Sequence, residues 1–491
     1  MKLKAKFIDW SAGIPIAMIH KETASKIGVQ DKERISIRTF SGYSKEFSMV
    51  VNTIEGLIKK NEIAFSSEIM ENINLKKGQY VDIALTETPR ALKFIRKKLD
   101  GRKLSKPEIF EIISDIVSNE LSEAETTLFV SAMYKSGLNF KETIYLIKAM
   151  LKFGSRLKLN KEFIADKHCI GGIAGNRTTP IVVSICAAGG LTMPKSSSKA
   201  ITSAAGTANV IESISPVDFS VKELKKIITK TNAFLVWGGN MVSADSRIIQ
   251  IEKELNIDPE AQLLASIVSK KLAFGSNYIL IDIPYGKNAK VTKARAMRLK
   301  KKFERVGKYF HKKLEVVLTK GDEPIGNGVG PVLELIDILK VLQNQGGRPK
   351  DLEEKSVFLA GKLFEMTGKA KKGKGIQKAR EILTSGKAFE KFRQIIKAQG
   401  GKIKTLELGK FAHTILSKKA GKISEINNKL TNSLARVAGC PTNKSAGVYL
   451  HVHKGYKMKK RDKLLTIYSE SKPRLNSAVR FYKENKIIMI K

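Results

Sequence analysis

The chain has 491 residues, of which 42% are hydrophobic, so it is long enough for about three domains with a sizeable packed core. No apolar run approaches the roughly 18–20 residues that a membrane-spanning helix needs, and the first residues lack the apolar stretch of a signal peptide. Three scattered cysteines without metal-ligand spacing argue against a disulfide framework. The composition therefore predicts a cytoplasmic globular protein of several domains.

The formal net charge of +42 raises the question of a nucleic-acid partner. Lysines occur almost everywhere, and the densest runs, Lys300–Lys302 and Lys369–Lys374, hold no aromatic residue. A charge spread in this way is more typical of solvated faces, so we expect no nucleic-acid partner. The positive field would still help to collect small anionic substrates.

Residues 1–85 are predicted to form a small β-rich domain, and residues 91–155 a helical one. Polar and apolar residues alternate in Arg34–Arg38, as in a half-buried strand, and Phe47–Val51 is a second strand candidate. In the helical domain Ser105 is followed three residues later by Glu108, a typical helix start. The β-rich domain holds no catalytic constellation, so a support or assembly role is expected for it.

Residues 160–345 alternate short apolar strands with helices, which predicts a mainly parallel α/β sheet. Ligands of such sheets gather at the carboxyl ends of the strands. A helical segment near 245–275 is assigned to the helical domain. Residues 346–491 are predicted as an α+β domain, helical to about Ala438 and then β-rich. The expected fold class is thus α/β and α+β multidomain. The apolar strand candidates are Phe163–Ala165, Phe234–Val236, Tyr278–Ile283 and Leu314–Leu318.

Two loops in the α/β domain have the composition of anion sites. The segment Lys167–Thr179 holds three glycines, which let a backbone approach an anion closely, ahead of a helix N-terminus. The segment Lys195–Thr207 holds six hydroxyl side chains and two lysines. Hydroxyl and ammonium groups donate hydrogen bonds to phosphate oxygens. An ordinary tight turn and a solvated serine-rich loop are the alternative explanations, but two such loops in one domain favour phosphate binding.

Further candidates are weaker when taken alone. Asp258 with Pro259 heads a predicted helix, where aspartate is also a favoured capping residue. Ser266 lies on that helix, and Lys290 follows a strand but could be one more surface lysine. His168 is the histidine near these loops, and a lone histidine is more often structural. No catalytic triad or metal-ligand cluster is legible, so no metal is expected.

Taken in order, several motifs resemble those of the thymidine phosphorylase family, and more closely its archaeal AMP phosphorylase branch. The resemblance runs from about residue 92 to the C-terminus, and the extra N-terminal β domain is similar to one that the archaeal branch carries. The motifs are Lys167–Gly172, Ser197–Glu212, Val236–Asn240, Leu264–Lys271 and Gly326–Gly330.

The resemblance implies phosphorolysis of a nucleoside monophosphate, with inorganic phosphate as co-substrate and no cofactor. AMP is the expected substrate, CMP and UMP are further candidates, and the assembly is expected to be a homodimer or larger. Asp258 is implied as the proton donor to the departing base. Lys167, Cys169 and Ser197 are candidates for phosphate binding. The implied substrate-binding residues are Gly172, Ser198, Lys199, Ala200, Ile201, Thr202, Ser203, Thr207, Ser266 and Lys290.

The chain departs from the family pattern at four positions. Cys169 replaces a serine, and Lys199 stands where the family has arginine, which loses a bidentate fork. Asn209 stands where the family has aspartate, and Gln250 occupies a position where relatives often have arginine. Each departure could weaken binding or shift specificity, but none removes the general acid or the glycine loop.

Three other functions remain compatible with the sequence. A pyrimidine nucleoside phosphorylase for uridine or thymidine would use the same motifs without a 5′-phosphate on its substrate. A related phosphoribosyltransferase would need Mg²⁺ and a diphosphate donor. A non-catalytic, RNA-associated paralogue is suggested by the basic charge and by the altered loop residues.

Overall fold

The computed structural model describes residues 1–8, 16–39, 46–67, 78–200, 203–239, 241, 243–403 and 405–491. Ile201 and Thr202, both implied in substrate binding, and Asn240 of the family motif lie outside these residues. The chain divides into two compact units, Met1–Gly154 with Ser243–Ser266, and Ser155–Val242 with Ile267–Lys491. The four domain boundaries inferred from the sequence stay a prediction.

The N-terminal part forms a closed six-stranded barrel with the strand order β1-β5-β2-β4-β3-β6. Ile35 and Ile37 are fully buried in its core and Arg38 is exposed, as the alternation in the sequence predicts. Arg34 departs from this pattern, because it is buried in an ion pair with Glu125. The expected β-rich domain is thus present. Its elements are β1 (Lys2–Phe7), β2 (Ala17–His20), α1 (Lys21–Ile27), β3 (Arg34–Thr39), β4 (Glu46–Ile54), β5 (Glu62–Phe65) and β6 (Tyr80–Leu85).

Four helices follow the barrel, and capping side chains fix the starts of the last three. The backbone N–H of Ser105 donates to Glu108 Oε2 over 2.6 Å. The Ser122 N–H donates to Glu125 Oε2 over 2.8 Å, and the Glu125 N–H donates back to the Ser122 hydroxyl. These reciprocal bonds satisfy donors that a helix start leaves unpaired. The helices are α2 (Arg90–Leu99), α3 (Lys106–Val117), α4 (Glu123–Ser136) and α5 (Phe140–Phe153).

The next stretch begins the α/β part. Strands β8 and β9 pair in parallel, and a single parallel bridge between Ile164 and Thr192 connects β8 to β7. The buried helix α6 packs between the strand layer and later helices, and nearly all its residues are inaccessible to water. The elements are β7 (Ala165–Cys169), α6 (Thr178–Ala188), β8 (Met193–Ser197), α7 (Thr207–Ile211), α8 (Val221–Thr231) and β9 (Ala233–Trp237).

Two further helices lead to the strands that complete the α/β part. Strands β10 and β11 are parallel to β7 in the order β11-β10-β7, so their carboxyl ends meet at one edge. The expectation of a mainly parallel sheet is confirmed for this region. The elements are α9 (Ser243–Leu255), α10 (Glu260–Ala273), β10 (Tyr278–Tyr285), α11 (Lys293–Tyr309) and β11 (Lys313–Lys320).

The C-terminal part departs from the expectation of helices up to Ala438, because strands β13 and β14 come before the last of those helices. Strand β13 is largely exposed and pairs with β17, about fifty residues later, so distant partners rather than a local apolar pattern stabilise it. The elements are β12 (Gly328–Val329), α12 (Pro331–Leu342), α13 (Lys350–Met366), α14 (Gly375–Thr384), α15 (Lys387–Ala398), β13 (Phe411–Leu416), β14 (Gly421–Ile426), α16 (Asn428–Ala438), β15 (Gly447–Leu450), β16 (Lys457–Met458), β17 (Lys463–Ser469), α17 (Lys472–Glu484) and β18 (Ile488–Ile490).

Strand β9 has β8 on one side, and on its other side the Gln399 side chain binds its backbone. The Leu235 N–H donates to Gln399 Oε1 over 2.8 Å, and Gln399 Nε2 donates to the Leu235 carbonyl over 3.0 Å. Gln399 is 2% exposed.

Of the helices that the structure describes, none has both the length and the apolar composition needed to cross a membrane.

Candidate functional site

The carboxyl ends of β7 and β8 carry many of the predicted site residues. The sequence predicts Lys167, His168 and Cys169 in a loop, but they are the last three residues of β7, paired with β10. The loop prediction is wrong here because a strand search by apolar runs passes over a segment whose centre is charged. Likewise, Lys195 and Ser197, expected in the second loop, lie within β8.

The glycine loop after β7 needs backbone conformations that other residues rarely adopt. Gly171, Gly172 and Gly175 have φ angles of 85°, 93° and 66°. A Cβ atom at Gly172 would lie 2.7 Å from the Cβ of Lys290 and 2.9 Å from its backbone nitrogen. The structure therefore places Gly172 and Lys290, both predicted site residues, in direct contact.

Lys167 lies beneath this loop and is only 1% exposed. Its Nζ donates to the Thr178 hydroxyl, at the first residue of α6, over 2.7 Å. Burial lowers the pKa of Lys167 below its ordinary value, and the positive charges of Lys355 and Arg177 lower it further. An ammonium group has three donors, so this one can bind an additional acceptor at the start of α6.

Asp282, on β10, supplies negative charge beside Lys167. Its Oδ1 accepts a hydrogen bond from the Thr319 hydroxyl over 2.7 Å, and its Oδ2 lies 3.1 Å from Lys355 Nζ. Burial opposes its ionisation, but Lys355, Lys167 and Thr319 together outweigh burial and lower its pKa. Asp282 is therefore a buried carboxylate, and its charge favours the protonated form of Lys167.

Cys169 replaces the family serine at the end of β7. Its sulfur accepts hydrogen bonds from the Gly171 N–H over 3.5 Å and from Asn176 Nδ2 over 3.4 Å. Burial raises its pKa, and the charge of Asp282 raises it further. The side chain is therefore a protonated thiol near neutral pH, a weak hydrogen-bond donor that helps to shape the glycine loop.

A second buried carboxylate, Asp166, holds two lysines. Its Oδ1 lies 3.1 Å from Lys195 Nζ, and its Oδ2 lies 2.9 Å from Lys271 Nζ. Burial lowers the pKa of Lys271 to about 7, against the attraction of Asp166. Burial also lowers the pKa of His168 well below its usual value, and four nearby lysines add to this shift. His168 is therefore neutral near pH 7.

The end of β8 presents hydroxyl groups whose hydrogen-bonding capacity is unused. The side-chain oxygens of Ser196 and Ser197 are buried and make no hydrogen bond within the described part of the chain. Gly238 leaves room beside them, since a Cβ there would lie 3.0 Å from the Cβ of Ser196. Buried hydroxyls without a partner are costly, so these two are candidates for contact with a ligand.

The loop after β8 is braced by residues at its far end. Asn209 Oδ1 accepts hydrogen bonds from the Ala200 N–H over 2.7 Å and from the Gly206 N–H over 3.0 Å. The Ser203 hydroxyl donates to the Ala205 carbonyl over 2.9 Å. An amide oxygen accepts both bonds, so the replacement of the family aspartate by Asn209 preserves this bracing.

Lys199 points towards the surface of its loop. Its Nζ lies 3.1 Å from Glu212 Oε1 and 5.4 Å from the centre of the Trp237 ring. Its side chain is 47% exposed, whereas Ser198 and Ala200 on either side are half-buried. In this structure Lys199 therefore pairs with Glu212 at the rim of the loop.

Arg177 connects the two loops, a role that no local sequence pattern reveals. It is the last residue before α6, and its Nη1 donates to the Thr207 hydroxyl over 3.0 Å. Its Nη2 donates to the Ala205 carbonyl over 2.7 Å, and its Nε pairs with Glu334 Oε2 over 2.5 Å. Its position directly after a glycine loop and before a helix marks it as a residue near the anion site, but does not indicate its partners.

Asp258 and Ser266, the other predicted site residues, belong to the first compact unit. Both are half-buried, Asp258 just before α10 and Ser266 within it. In the same unit Gln250 is exposed and its amide lies 3.3 Å from Glu254. Arg247 instead is turned inward, and its Nη1 donates to Asn119 Oδ1 over 2.7 Å.

The second unit thus gathers cations, hydroxyl groups and backbone N–H groups around the start of α6. Such groups bind phosphate oxygens. Among the described residues, no group of three or more His, Cys, Asp or Glu side chains has the geometry of a metal site.

Two family models match the chain. Residues 92–154 match the helical bundle domain of a glycosyl transferase family, and residues 161–389 match the a/b domain of that family. An anthranilate phosphoribosyltransferase from Thermus thermophilus has a related fold, with a TM-score of 0.50 at 17% identity over 62% of this chain and 99% of that one.

Full-length relatives are named AMP phosphorylase. The protein from Pyrococcus abyssi is 44% identical over 98% of this chain and 96% of its own length. The protein from Thermococcus sibiricus is 41% identical over the same shares, and that from Methanococcus vannielii is 40% identical over 97% and 95%. The chain therefore belongs to the glycosyl transferase family that includes the archaeal AMP phosphorylases.

Proposed function

We propose that this chain is a pentosyltransferase that converts AMP and inorganic phosphate to adenine and ribose 1,5-bisphosphate. The observation that carries the proposal is the identity of 41–44% with AMP phosphorylases over 98% of the chain. CMP and UMP are further candidate substrates. The anion-binding character of the second unit supports the same function, because both substrates carry phosphate.

The attacking phosphate would bind at the glycine loop, with Lys167, Cys169 and Ser197 as its side-chain donors. Lys167 is a buried cation at the N-terminus of α6, and Ser197 has an unused buried hydroxyl. The partial positive charge of the helix N-terminus favours an anion there.

The nucleotide would bind around the two loops of the second unit and the first residue of α7. Ser266, on α10, is assigned to it from the family resemblance. The contact between Gly172 and Lys290 and the bracing of Ala200 by Asn209 support this assignment. The residues assigned to the nucleotide are Gly172, Ser198, Lys199, Ala200, Ile201, Thr202, Ser203, Thr207, Ser266 and Lys290.

The proposed reaction breaks the bond between the ribose C1′ and the base nitrogen, and the phosphate oxygen forms a new bond at C1′. Asp258 would give its proton to the departing purine, which leaves poorly as an anion. A positioned general acid contributes roughly 10²–10⁴-fold to the rate. Positive charge develops on the sugar, and the bound phosphate anion would stabilise it. Exclusion of water would favour phosphorolysis over hydrolysis.

We also propose that the enzyme works without a cofactor, in the cytoplasm, as a homodimer or a larger homo-oligomer. The free thiols of Cys169, Cys186 and Cys440 are consistent with a reducing compartment. Size-exclusion chromatography with light scattering measures the assembly, and a monomer at working concentration would contradict this part.

The deciding experiment incubates the protein with each nucleoside and each nucleoside monophosphate, with and without phosphate, and identifies the released base and sugar. We expect adenine and ribose 1,5-bisphosphate from AMP only when phosphate is present. Equal turnover of uridine or thymidine would indicate a nucleoside phosphorylase. Strict dependence on Mg²⁺ and a diphosphate donor would indicate a phosphoribosyltransferase, and tight RNA binding without base release a non-catalytic protein.

The role of Asp258 is tested with Asp258→Asn and Asp258→Ser, which both keep a small polar side chain but remove the acid. We expect nucleotide binding to persist and kcat to fall by about 10²–10⁴-fold. A ribose 5-phosphate that carries 4-nitrophenolate at C1 needs no protonation of its leaving group, so it should lose much less. Wild-type kcat for AMP in either variant would refute the assignment.

A further inference from the structure

The ion pair between Arg177 and Glu334 lies where the two loops of the second unit meet. Arg177 ends the glycine loop, and Glu334 lies in the first turn of α12, 157 residues later. The Arg177 side chain is 12% exposed and the Glu334 side chain 1% exposed. The pair is therefore almost fully removed from water, so protein partners must satisfy each of its charged atoms.

The carboxylate of Glu334 is held on both oxygens. Its Oε2 accepts from Arg177 Nε over 2.5 Å, and its Oε1 accepts from the backbone N–H of Gly330 over 3.2 Å. Gly330 is the last residue of the Gly326–Gly330 motif, which the proposed reaction does not otherwise use. With Nε, Nη1 and Nη2 each bound to a different partner, the plane of this rigid group is fixed.

The remaining Arg177 donors define the geometry of the second loop. Nη1 donates to the Thr207 hydroxyl and Nη2 to the Ala205 carbonyl. A threonine hydroxyl has one proton, and an oxygen that accepts from arginine must direct that proton to a different acceptor. Arg177 therefore orients Thr207 as a donor, the form in which a threonine binds a phosphate oxygen.

We propose that Glu334 is a positioning residue that, through Arg177, holds the Thr207 hydroxyl ready to donate to a substrate phosphate. The inference rests on the proposed function, in which Thr207 contacts the nucleotide. Burial raises the pKa of Glu334, whereas Arg177 and the Gly330 N–H favour its ionised form, in which it offsets the charge of Arg177. Glu334 itself does not touch substrate.

The chain contains a matched control pair. Arg348 Nε lies 2.6 Å from Glu353 Oε2, and Glu353 is also a buried glutamate near the start of a helix, α13. Glu353 has a second arginine neighbour, Arg380, at 3.5 Å. Among the described residues, no hydrogen bond or ion pair links Arg348 or Glu353 to Thr207 or to the glycine loop. Glu353→Gln therefore reports the structural cost of losing a buried carboxylate of this kind.

The experiment compares Glu334→Gln, Glu353→Gln, Thr207→Val and the double variant of Glu334 and Thr207. KM and kcat are measured separately for AMP and for phosphate, together with the unfolding temperature. Thr207→Val identifies which substrate uses the hydroxyl. Glu334→Gln should raise the KM of that same substrate about five- to tenfold, as expected for a displaced charge-assisted hydrogen bond. Glu353→Gln should leave both KM values unchanged.

The double variant separates positioning from general loosening. If Glu334 acts through Thr207, the double variant should have a KM within about twofold of Thr207→Val alone, because coupled residues are not additive. Multiplying effects would overturn the inference. So would unchanged KM values in Glu334→Gln with a fall in unfolding temperature like that of Glu353→Gln.

Failure of the proposed function would be recognised separately, because wild-type protein would then release no adenine from AMP. The same four variants are in that case compared by calorimetric titration with AMP and with inorganic phosphate. Equal affinities for both ligands in wild type and Glu334→Gln would overturn the inference on its own.

Discussion

Two buried aspartates on adjacent strands of one sheet form different ion pairs with lysines. Asp166 on β7 binds Lys195 and Lys271, both of them at most 3% exposed. Asp282 on β10 binds Lys355 and the Thr319 hydroxyl, while Lys167 nearby donates to Thr178. The first cluster uses its lysines for internal neutralisation, whereas the second leaves a cation at a helix start where an anion can bind. A lysine is thus assigned to function by what its ammonium group faces, not by its proximity to a loop in sequence.

The largest expected effect comes from Asp166→Asn. It leaves two buried lysines without their carboxylate, and breaking a buried pair in this way typically costs about 3–5 kcal/mol. Denaturant unfolding of the second unit measures the change. Glu390→Gln is the control, because its pair with Arg393 is more than half exposed and should cost less than about 1 kcal/mol. Similar losses in the two variants would contradict the structural role of the Asp166 cluster.

Lys167→Met tests the other cluster. We expect kcat/KM for phosphate to fall by about 10²–10³-fold, as when a preorganised donor is removed from a reacting anion. Stability should change much less than in Asp166→Asn, because methionine fills a buried site without a charge. A variant that unfolds easily but retains phosphate turnover would reverse the roles given to the two clusters.

The pH dependence of stability sharpens the comparison further. Burial lowers the pKa of Lys271 to about 7 in the folded state, while the unfolded side chain keeps its ordinary value of 10.5. Between these values the unfolded state binds a proton that the folded state lacks, so stability rises with pH in this window. The rise is at most about 1.4 kcal/mol per pH unit.

Unfolding free energies at pH 7, 8 and 9 test this expectation, with Lys271→Met as the reference that removes the group. The wild-type protein should gain stability relative to the variant as the pH increases. A constant difference across the window would show that Lys271 stays protonated on Asp166.

Cys169→Ser should produce the smallest effect. A hydroxyl donates a stronger hydrogen bond than a protonated thiol, so the KM for phosphate should fall about two- to fivefold. Cys186→Ser, on the buried α6, provides a control that should leave this KM unchanged. A higher KM in Cys169→Ser would mean that the sulfur serves the loop rather than the phosphate.

Much of the sheet could be predicted because its strands are apolar. Tyr278–Ile283 is an almost wholly buried run, and in Leu314–Leu318 the apolar residues Leu314 and Val316 are buried; both segments lie within strands. The end of β7 could not be predicted in the same way, since Asp166 and Lys167 are polar residues buried by ion pairs and hydrogen bonds. Their partners lie far along the chain, and a local pattern carries no trace of them.

In the candidate site too, only the features that are local in sequence could be predicted. Glycine spacing and clustered hydroxyls indicated the two loops, because these features are local in sequence. The contact of Gly172 with Lys290 and the bridge from Arg177 to Glu334 each join segments more than a hundred residues apart. They depend on how the strands are ordered in the sheet, which residue types and spacings do not encode directly.

The paired hydrogen bonds between Gln399 and Leu235 have a consequence for self-association. Strand β9 is apolar from Ala233 to Trp237, and an open edge of this kind could extend its ladder with a strand of another molecule. The glutamine amide occupies both backbone groups at the middle of that edge. One side chain thus imitates an added strand, and since Ala233–Val236 are at most 2% exposed, another molecule could pair with this edge only after local unfolding and release of Gln399.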